Sequence, residues 1–595
     1  MPTQPTRRHR PIAGILAKNP LFNSRILKKE VQIYPRVIER IEDWPIYRLS
    51  KDRTEFLREI DEFTFNRIAS RHRKDLPDVL VKALYQERIR IKEDPWKVDP
   101  PNERQFWNKI SKKLIQKSLD RNSPEAKEAA EDILQKIIHR YSEEIVGTFQ
   151  ISTFRFAQRF LTAFFNRIFN AAVGKSIRSI WRGRRHLYER LNVVGDVNTV
   201  RSLMQHGTVI VVPTHSSNLD SILVGYAMDQ IMGMPSFSYG AGLNLYNFGP
   251  AAYFMNRLGA YRVDRRKKNS IYLETLKTMS NLSIQRGVNS LFFPGGTRSR
   301  SGALEDDLKM GLLGTAVEAQ RALNQNGTPK KVFIVPMVIC YNFVLEAPFL
   351  IEQHLRYTGK ENYLRLKDES KSIRSWLRFI WQFFSTTSDT TLSIGRPMDV
   401  LGNFVDDQGR SFDKFGNELD IREYFTGKSE VNEDRQREEE YTKLLAERIV
   451  ERYQVENVVL SSHLVAYAAF EMLMHENPKL DLFGILRLPP DDYRFPFRAV
   501  EDVVEQMQAR LFTMEQDGKI RLAPEIYRPA ADVVREGVKN LGIFHSEKPL
   551  KFDIHGDIVS ANFRVLYFYH NRLASYHLDQ SVHWQAEEIE VLKVD

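Results

Sequence analysis

Short apolar runs of strand length alternate with helical segments between residues 191 and 402, and this alternation is the strongest constraint on the fold. Three of the runs are as long as buried strands and end in turn-forming or polar residues: TVIVVPTH, VNSLFFPGG and KVFIVPMVICY. Three further segments have a helical pattern: DSILVGYAMDQ, IYLETLKTMS and GLLGTAVEAQRAL. The alternation predicts an α/β domain with a largely parallel sheet flanked by helices.

The chain has 595 residues, which is more than one core usually holds, so several regions are expected. Sequence patterns divide it into a helical N-terminal domain (1–150), an amphipathic basic connector (151–190), the α/β domain (191–402) and a mostly helical C-terminal region (403–595). Within the last region, residues 403–440 are predicted to form a polar loop insertion with some helix. The segments KFDIHGDI and NFRVLYFYHN are predicted to form a strand pair.

Prolines and glycines mark several element boundaries. Ser123 and Pro124 are typical of a helix start, and Gly147 is a suitable stop for that helix. Pro336 lies inside the third apolar run and is predicted to end or bend its strand. The segment TTLSIGRPMDVL, at residues 390–401, is predicted to be a last strand or an edge segment.

The connector combines an aromatic helix face with a dense group of cations. At 100° per residue, residues 154–172 place five phenylalanines, Leu161 and Ile168 on one broad face: Phe156, Phe160, Phe164, Phe165 and Phe169. Residues 175–190 follow with six Lys/Arg, Trp181, Tyr188 and the single acid Glu189. An apolar face beside basic residues is typical of a helix that docks on an anionic membrane, and equally of one that packs against the protein.

Charge and cysteine content restrict the partners and the chemistry. The net charge of +11 predicts an anionic partner: a phosphorylated metabolite, a phospholipid surface or nucleic acid. The only cysteine, Cys340, excludes an intramolecular disulfide and a cysteine-rich metal site, and the histidines form no ligand-spaced cluster, so no metal site is expected. Neither a signal peptide nor an apolar run near the roughly 18 residues of a spanning helix is evident.

The turn PTHSSNLDS, residues 213–221, carries the most specific chemical signal. His215 ends a predicted strand and Asp220 lies in the first turn of the next helix, where a loop is exposed while the sheet holds its position. A histidine oriented by a carboxylate can act as a general base near neutral pH. Alone, the His-x4-Asp spacing is weak evidence for a catalytic site, since among 14 histidines about one such match arises by chance. The alternative is an ordinary histidine near an aspartate that caps a helix.

Two cationic segments follow this turn, each directly after an apolar run. The first contains Arg262, Arg265, Arg266, Lys267 and Lys268. The second is FFPGGTRSRSG, in which Gly296 and Thr297 precede Arg298 and Ser299, and Lys309 lies shortly after it. Glycine-rich turns expose backbone N–H groups to anions, and arginines match phosphate oxygens, so both segments predict phosphate binding.

These segments, taken in order, resemble the four motifs of the glycerol-3-phosphate and dihydroxyacetone-phosphate acyltransferases, within the phospholipid/glycerol acyltransferase family. His215, Ser217 and Asp220 match the H-x-S-x-x-D form of the first motif, and residues 258–265 resemble the second. Residues 296–300 resemble the third motif and residues 335–336 the fourth. Segments near 458–473 and 565–576 are also similar to this family, so the resemblance covers roughly residues 190–580.

The resemblance implies a glycerolphosphate acyltransferase-like fold and direct acyl transfer in phospholipid synthesis. His215, oriented by Asp220, would deprotonate a hydroxyl of glycerol 3-phosphate, and the oxygen would attack the thioester of acyl-CoA or acyl-carrier protein. The implied acceptor-binding residues are Ser217, Arg265, Gly296, Thr297, Arg298, Ser299 and Lys309. No cofactor beyond the acyl donor is implied, and the protein is expected to lie peripherally on the cytoplasmic face of a membrane.

One departure from the third motif stands out. The family usually has a glutamate before the glycine, where this chain has Gly295, and nothing in the sequence indicates that the nearby Glu305, Asp306 or Asp307 compensates. Two alternatives follow: acylation of lysophosphatidate or another lysolipid, and a catalytically weak lipid-binding scaffold. A covalent acyl-enzyme on Cys340 is disfavoured because that residue lies within an apolar run. Nucleic-acid binding is disfavoured because no such motif is present.

Overall fold

Within the residues that the computed structural model describes, seven strands between residues 191 and 394 form one β-sheet. The described residues are 32–117, 124–172, 191–243, 246, 249–359, 390–427, 430–543 and 545–584. The strands are β1 (Leu191–Gly195), β2 (Gly207–Pro213), β3 (Ser238–Gly242), β4 (Ala260–Val263), β5 (Ser290–Leu291), β6 (Lys331–Tyr341) and β7 (Thr390–Ile394). Their order is β1-β7-β6-β2-β5-β3-β4, and all neighbouring pairs except β6 and β7 are parallel, which confirms the predicted sheet.

Strand β6 continues through Pro336, which the sequence had suggested would end or bend it. Residues 331–337 of β6 pair with β2, and residues 337–341 pair with β7 on the other side. Pro336 has no N–H to donate, but its carbonyl still accepts from the N–H of Gly395 at 2.8 Å. Pro336 therefore lies next to the residue at which the pairing of β6 passes from β2 to β7, and β6 continues without a break to Tyr341.

Strand β7 is the last strand of the sheet in chain order. It pairs with β1 on one side and β6 on the other, so it is not an edge strand.

The N-terminal region is helical, as predicted. Its helices in the described residues are α1 (Pro45–Lys51), α2 (Arg53–Arg71), α3 (Leu76–Glu93), α4 (Glu103–Lys117), α5 (Pro124–Ile145) and α6 (Ile151–Ala172). The helix expected near Pro124 begins there, whereas its proposed cap Ser123 lies outside the described residues. Gly147 follows its end, and a Cβ there would lie 1.9 Å from the carbonyl oxygen of Ala260, so glycine also permits this close passage along β4.

Helices connect the strands of the sheet and pack against it. They are α7 (Val197–His206), α8 (Asp220–Tyr226), α9 (Gly249–Met255), α10 (Ser270–Gln285), α11 (Met310–Gln325) and α12 (Ala347–Gly359). The side chain of Asn269 caps α10 by accepting from the N–H of Tyr272 at 2.9 Å. Helix α10 also shares a core with α2 and α5, in which Ile271 and Tyr272 join Phe56 and Ile133.

The C-terminal region is mostly helical and begins with short strands. Residues 403–440, predicted as a loop insertion with some helix, contain β8 (Phe404–Val405), β9 (Ser411–Phe412), β10 (Glu418–Leu419), β11 (Thr426–Gly427) and β12 (Glu430–Val431). The later helices are α13 (Arg435–Glu456), α14 (Ser461–Glu476), α15 (Leu482–Ile485), α16 (Phe497–Gln516), α17 (Ala530–Asn540) and α18 (Phe563–His570). The remaining short strands are β13 (Val458–Val459), β14 (Arg494–Phe495), β15 (Arg521–Leu522), β16 (Lys551–Phe552) and β17 (Ile558–Val559).

The predicted strand pair near the C-terminus is partly wrong. KFDIHGDI does form an antiparallel pair, β16 with β17, but NFRVLYFYHN forms helix α18. Asn562 caps this helix through its side chain, and Phe563 and Tyr567 stack on Phe470 of α14. Packing of aromatic residues at helical spacing against a neighbouring helix therefore outweighs their preference for strands.

Candidate active site

Four loops that follow parallel strands meet at one edge of the sheet. They follow β2, β4, β5 and β6, which run in the same direction, so their carboxyl ends lie at the same edge. Such an edge is where open α/β sheets usually hold their functional side chains. The four predicted motifs lie along these strands and the loops that follow them.

Asp220 organises the turn between β2 and α8. Its Oδ2 atom accepts hydrogen bonds from the N–H groups of Ser216 at 2.7 Å and Ser217 at 2.9 Å. Its Oδ1 atom accepts from the hydroxyl of Tyr341 at 2.5 Å. Burial, followed by the charge of Asp220, raises the pKa of Tyr341 well above its ordinary value, so this phenol remains a donor. The buried carboxylate is therefore held from two sides.

The His215 imidazole is oriented by Asp220 and by an aromatic ring. Its Nδ1 lies 2.8 Å from Asp220 Oδ2, and its ring stacks on Phe293 with the centroids 4.2 Å apart. Because a carboxylate accepts hydrogen bonds, Nδ1 is the donor, and in the neutral imidazole Nε2 then has the lone pair. Among the described residues, none hydrogen-bonds to Nε2, and the side chain is 16% exposed. The arrangement suits a general base.

Glu346, which sequence reasoning missed, joins the loop after β2 to the loop after β5. It accepts from the Ser217 hydroxyl at 3.1 Å, the Asn218 N–H at 3.0 Å and Arg298 Nη1 at 3.1 Å. The Ser217 hydroxyl, predicted to bind substrate, therefore already has a protein partner. Glu346 lies five residues beyond β6, in a loop whose spacing carries no signal in the sequence.

The cations after β4 have different partners. Arg262 donates to Asn256, Arg266 pairs with Asp99 and Asp264, and Lys267 pairs with Glu144, so these three stabilise the structure.

Arg265 is exposed and, in the described part of the chain, has no acidic partner. The pKa of Arg265 is lowered, mainly because protein surrounds its guanidinium and secondly because the charge of Arg298 is nearby. Two arginines that repel one another at this edge of the sheet form a suitable site for an anion.

The remaining predicted binding residues lie in or beside the turn after β5. Gly296 has φ of 76°, a left-handed conformation that favours glycine, and Thr297 is exposed. The Ser299 N–H donates to the His215 carbonyl at 2.7 Å, so the turn is hydrogen-bonded to His215. The Lys309 N–H donates to the Pro294 carbonyl at 2.7 Å, while the side-chain ammonium of Lys309 is 70% exposed.

Besides Glu346, sequence reasoning missed Phe293, which stacks on His215, and Tyr341, which donates to Asp220, and it named Glu305 without assigning it a role. Tyr341 ends β6, and a polar residue at the end of a strand next to β2 could have been recognised from the sheet order. Glu305 accepts from the His215 N–H at 2.6 Å, and the protein around its carboxyl raises its pKa to about 7. Cys340 is fully buried in β6.

Part of the chain is similar in sequence to known proteins. Residues 190–340 match the family model described as Acyltransferase. Proteins named glycerol-3-phosphate acyltransferase are similar: that of Shewanella amazonensis is 25% identical over 401 residues, that of Shewanella frigidimarina 26% over 327, and that of Aeromonas hydrophila 29% over 281. These matches cover 64%, 55% and 46% of this chain, but only 42%, 33% and 31% of the respective relatives. The segment that matches the acyltransferase family model, residues 190–340, includes His215, Asp220, Arg265 and Arg298.

Proposed function

We propose that the protein transfers a fatty acyl group from an acyl thioester to a hydroxyl of glycerol 3-phosphate, as a step of phospholipid synthesis. The observation that carries the proposal is the His215–Asp220 pair, with Nδ1 bound to the carboxylate and Nε2 free of described partners. The proximity of Arg265 and Arg298 supports a phosphorylated acceptor. The names of the similar proteins support the same substrate.

The proposed reaction is a direct transfer. His215 Nε2 takes the proton from the acceptor hydroxyl as its oxygen attacks the thioester carbonyl. A carbon–oxygen bond forms, the carbon–sulfur bond breaks, and the thiol of CoA or of the carrier protein leaves with the proton from the imidazolium. Arg265 and Arg298 hold the phosphate, which turns the encounter into an oriented reaction. The acyl donor is a co-substrate, and the scheme requires no other cofactor or metal.

Replacement of His215 by alanine tests this role. Loss of a general base lowers kcat by about 10²–10⁴-fold. His72 offers a matched control, because its Nδ1 lies 3.0 Å from Asp75 Oδ2 in a similar pair at the surface, far from the four loops in sequence. We expect His215→Ala to lose transfer and His72→Ala to keep it, measured with labelled acyl donor. Transfer by His215→Ala at the parent rate would exclude the proposed mechanism.

A panel of acceptors separates the alternatives. The parent protein is incubated with the labelled donor and glycerol 3-phosphate, dihydroxyacetone phosphate or lysophosphatidate, and the lipid formed is identified. Acylation of glycerol 3-phosphate is expected. Preferential acylation of lysophosphatidate would assign the protein to lysolipid acylation, and no turnover with any acceptor would favour a lipid-binding scaffold.

We further propose that the protein lies peripherally on an anionic membrane surface, with α6 in contact with the lipid. In the described residues, no helix has both the length and the hydropathy needed to cross a bilayer. Phe156 and Phe160 of α6 are 57% and 50% exposed, and Phe156 stacks on Phe254 beside the exposed Tyr253. Arg159, on the same helix, is exposed too. The basic part of the predicted connector, residues 173–190, lies outside the described residues.

A further inference from the structure

We infer that Glu305 is a positioning residue for His215, and that it occupies the space left by the absent side chain of Gly295. The inference rests on the proposed function only in assigning a catalytic task to His215. It gives the loop after β5 a second function beyond phosphate binding: holding the main chain of the base.

The loop after β5 holds both main-chain polar groups of His215. Glu305 Oε1 accepts from the His215 N–H at 2.6 Å, and the Ser299 N–H donates to the His215 carbonyl at 2.7 Å. Phe293, at the start of the same loop, stacks on the imidazole. Since Asp220 holds the ring at Nδ1, the position of Nε2 depends on these four contacts together.

Glycine at position 295 is what allows Glu305 to reach this place. A Cβ at Gly295 would lie 2.9 Å from Glu305 Cγ, closer than real Cβ contacts, so a larger residue at 295 would displace the glutamate. The same Cβ would lie 3.4 Å from Glu305 Oε1, a distance that a glutamate side chain at 295 can itself span. Position 295 and position 305 can therefore deliver a carboxylate to the same point, but not both at once.

The neighbouring acids do not share this role. Asp306 and Asp307 are exposed, and Asp307 pairs with the exposed side chain of Lys309.

The carboxyl of Glu305 lies near positive charge, because Arg572 and His215 both act to lower its pKa. An ionised Glu305 close to His215 also favours the imidazolium that forms when the base takes a proton.

The first experiment compares three variants of the full chain: Glu305→Ala, Glu305→Gln and the control Asp306→Ala. Loss of the contact should misplace Nε2, so Glu305→Ala should lower kcat by about 10- to 100-fold with little change in the KM of glycerol 3-phosphate. Glutamine keeps a carbonyl oxygen that accepts from the His215 N–H, so Glu305→Gln should recover most of kcat. Asp306→Ala should match the parent. A folded Glu305→Ala protein with the parent kcat would overturn the inference.

A relocation variant tests the shared position. Combining Gly295→Glu with Glu305→Ala should restore kcat relative to Glu305→Ala alone, whereas Gly295→Glu in the presence of Glu305 should lower it through the clash. If Glu305→Ala fails to fold, recovery of folding and kcat in the Gly295→Glu/Glu305→Ala double variant still supports the inference. If neither this double variant nor Glu305→Gln recovers kcat, the inference is contradicted.

Hydrogen exchange gives a readout that does not depend on activity. The amide of His215 should exchange faster in Glu305→Ala than in the parent, and should be protected again in Glu305→Gln. Unchanged protection would overturn the inference even in an active enzyme. If the parent itself transfers no acyl group to any acceptor, the proposed function fails, while the exchange result still decides whether Glu305 holds His215.

Discussion

Arg265 and Arg266 are adjacent in the chain but differ in their partners, and this difference separates binding from stability. Arg265 is exposed without an acidic partner in the described residues, and Arg266 is bound to Asp99 and Asp264. An arginine whose hydrogen bonds are already made within the protein has little capacity left for a phosphate. Of these two neighbours, Arg265 is therefore the one proposed to bind the phosphate together with Arg298, and a matched pair of variants tests this.

We predict that Arg265→Ala raises the KM of glycerol 3-phosphate by at least about tenfold, because a charge-assisted hydrogen bond contributes roughly 1.5–3 kcal/mol. The KM of the acyl donor and the urea midpoint of unfolding should stay near those of the parent. Arg266→Ala should instead lower the urea midpoint, because it removes the cation bound to both Asp99 and Asp264. Equal changes in both Michaelis constants of Arg265→Ala would contradict the assignment.

A second prediction concerns the pH dependence of stability at Glu305. Its folded pKa of about 7 lies above the ordinary 4.5, so the folded state binds more protons between these values. The contribution is fully present below about pH 4.5 and is lost as the pH rises through about 7. The glutamine of Glu305→Gln cannot ionise. The free energy of unfolding of this variant, minus that of the parent, should therefore increase with rising pH by up to about 3 kcal/mol. Urea unfolding near pH 5 and pH 8 measures this, and a constant difference would contradict it.

At the scale of elements, helix α6 shows what a periodic pattern can and cannot predict. The predicted helix is present, and two residues of its predicted apolar face, Phe156 and Phe160, are exposed, whereas the side chains of residues 161, 164, 165, 168 and 169 lie outside the described ones. Phe154, two residues earlier, instead packs against Trp44 and Phe149 with ring centroids 5.2 Å and 5.4 Å away. The periodic pattern predicts which residues share a face of the helix. It does not predict which of them are buried, because the residues that cover them, such as Trp44, can be distant in the sequence.

The same limit explains which site residues were predictable. His215 and Arg298 follow strands, and parallel strands bring their ends together, so their convergence was predictable from the alternation alone. Glu346 and Glu305 reach the site through loops whose course depends on tertiary contacts. The aromatic residues of NFRVLYFYHN and its Val565 are common in strands, but the packing of α18 on α14 makes this segment a helix.

We predict that Phe156→Ser combined with Phe160→Ser weakens co-sedimentation with anionic liposomes and leaves the urea midpoint unchanged. Exposed aromatic rings contribute to an interfacial contact but little to folding. Phe154→Ala is the matched control: it should lower the free energy of unfolding by roughly 2–3 kcal/mol because it opens a packed cluster, and retain liposome binding when folded. Undiminished sedimentation of the double variant across salt concentrations would exclude α6 as the lipid contact.

At the scale of the whole molecule, the N-terminal helices and the sheet share one core and one buried ionic network. The described residues from Ile33 onward form a single compact unit. Lys267, after β4, is 2% exposed and lies between Glu144 of α5 and Glu103 of α4, which Arg140 also joins. Burial acts to raise the pKa of Glu103, but Lys267 and Arg90 outweigh it and hold that pKa below its ordinary value. The loop that carries Arg265 is thereby fastened to the N-terminal helices.

The last prediction tests how strongly this network joins the two parts. Lys267→Met should lower the free energy of unfolding by up to roughly 3–5 kcal/mol, because Glu144 and Glu103 would lose the cation buried between them and keep only Arg140 and Arg90 as partners. Adding Glu144→Gln should recover part of that loss, with a coupling energy of about 1–3 kcal/mol in a double-mutant cycle. Lys443→Met, which breaks an exposed pair with Glu440, should leave the urea midpoint unchanged. Additive effects of Lys267→Met and Glu144→Gln would show that the ion pair does not hold the helices to the sheet.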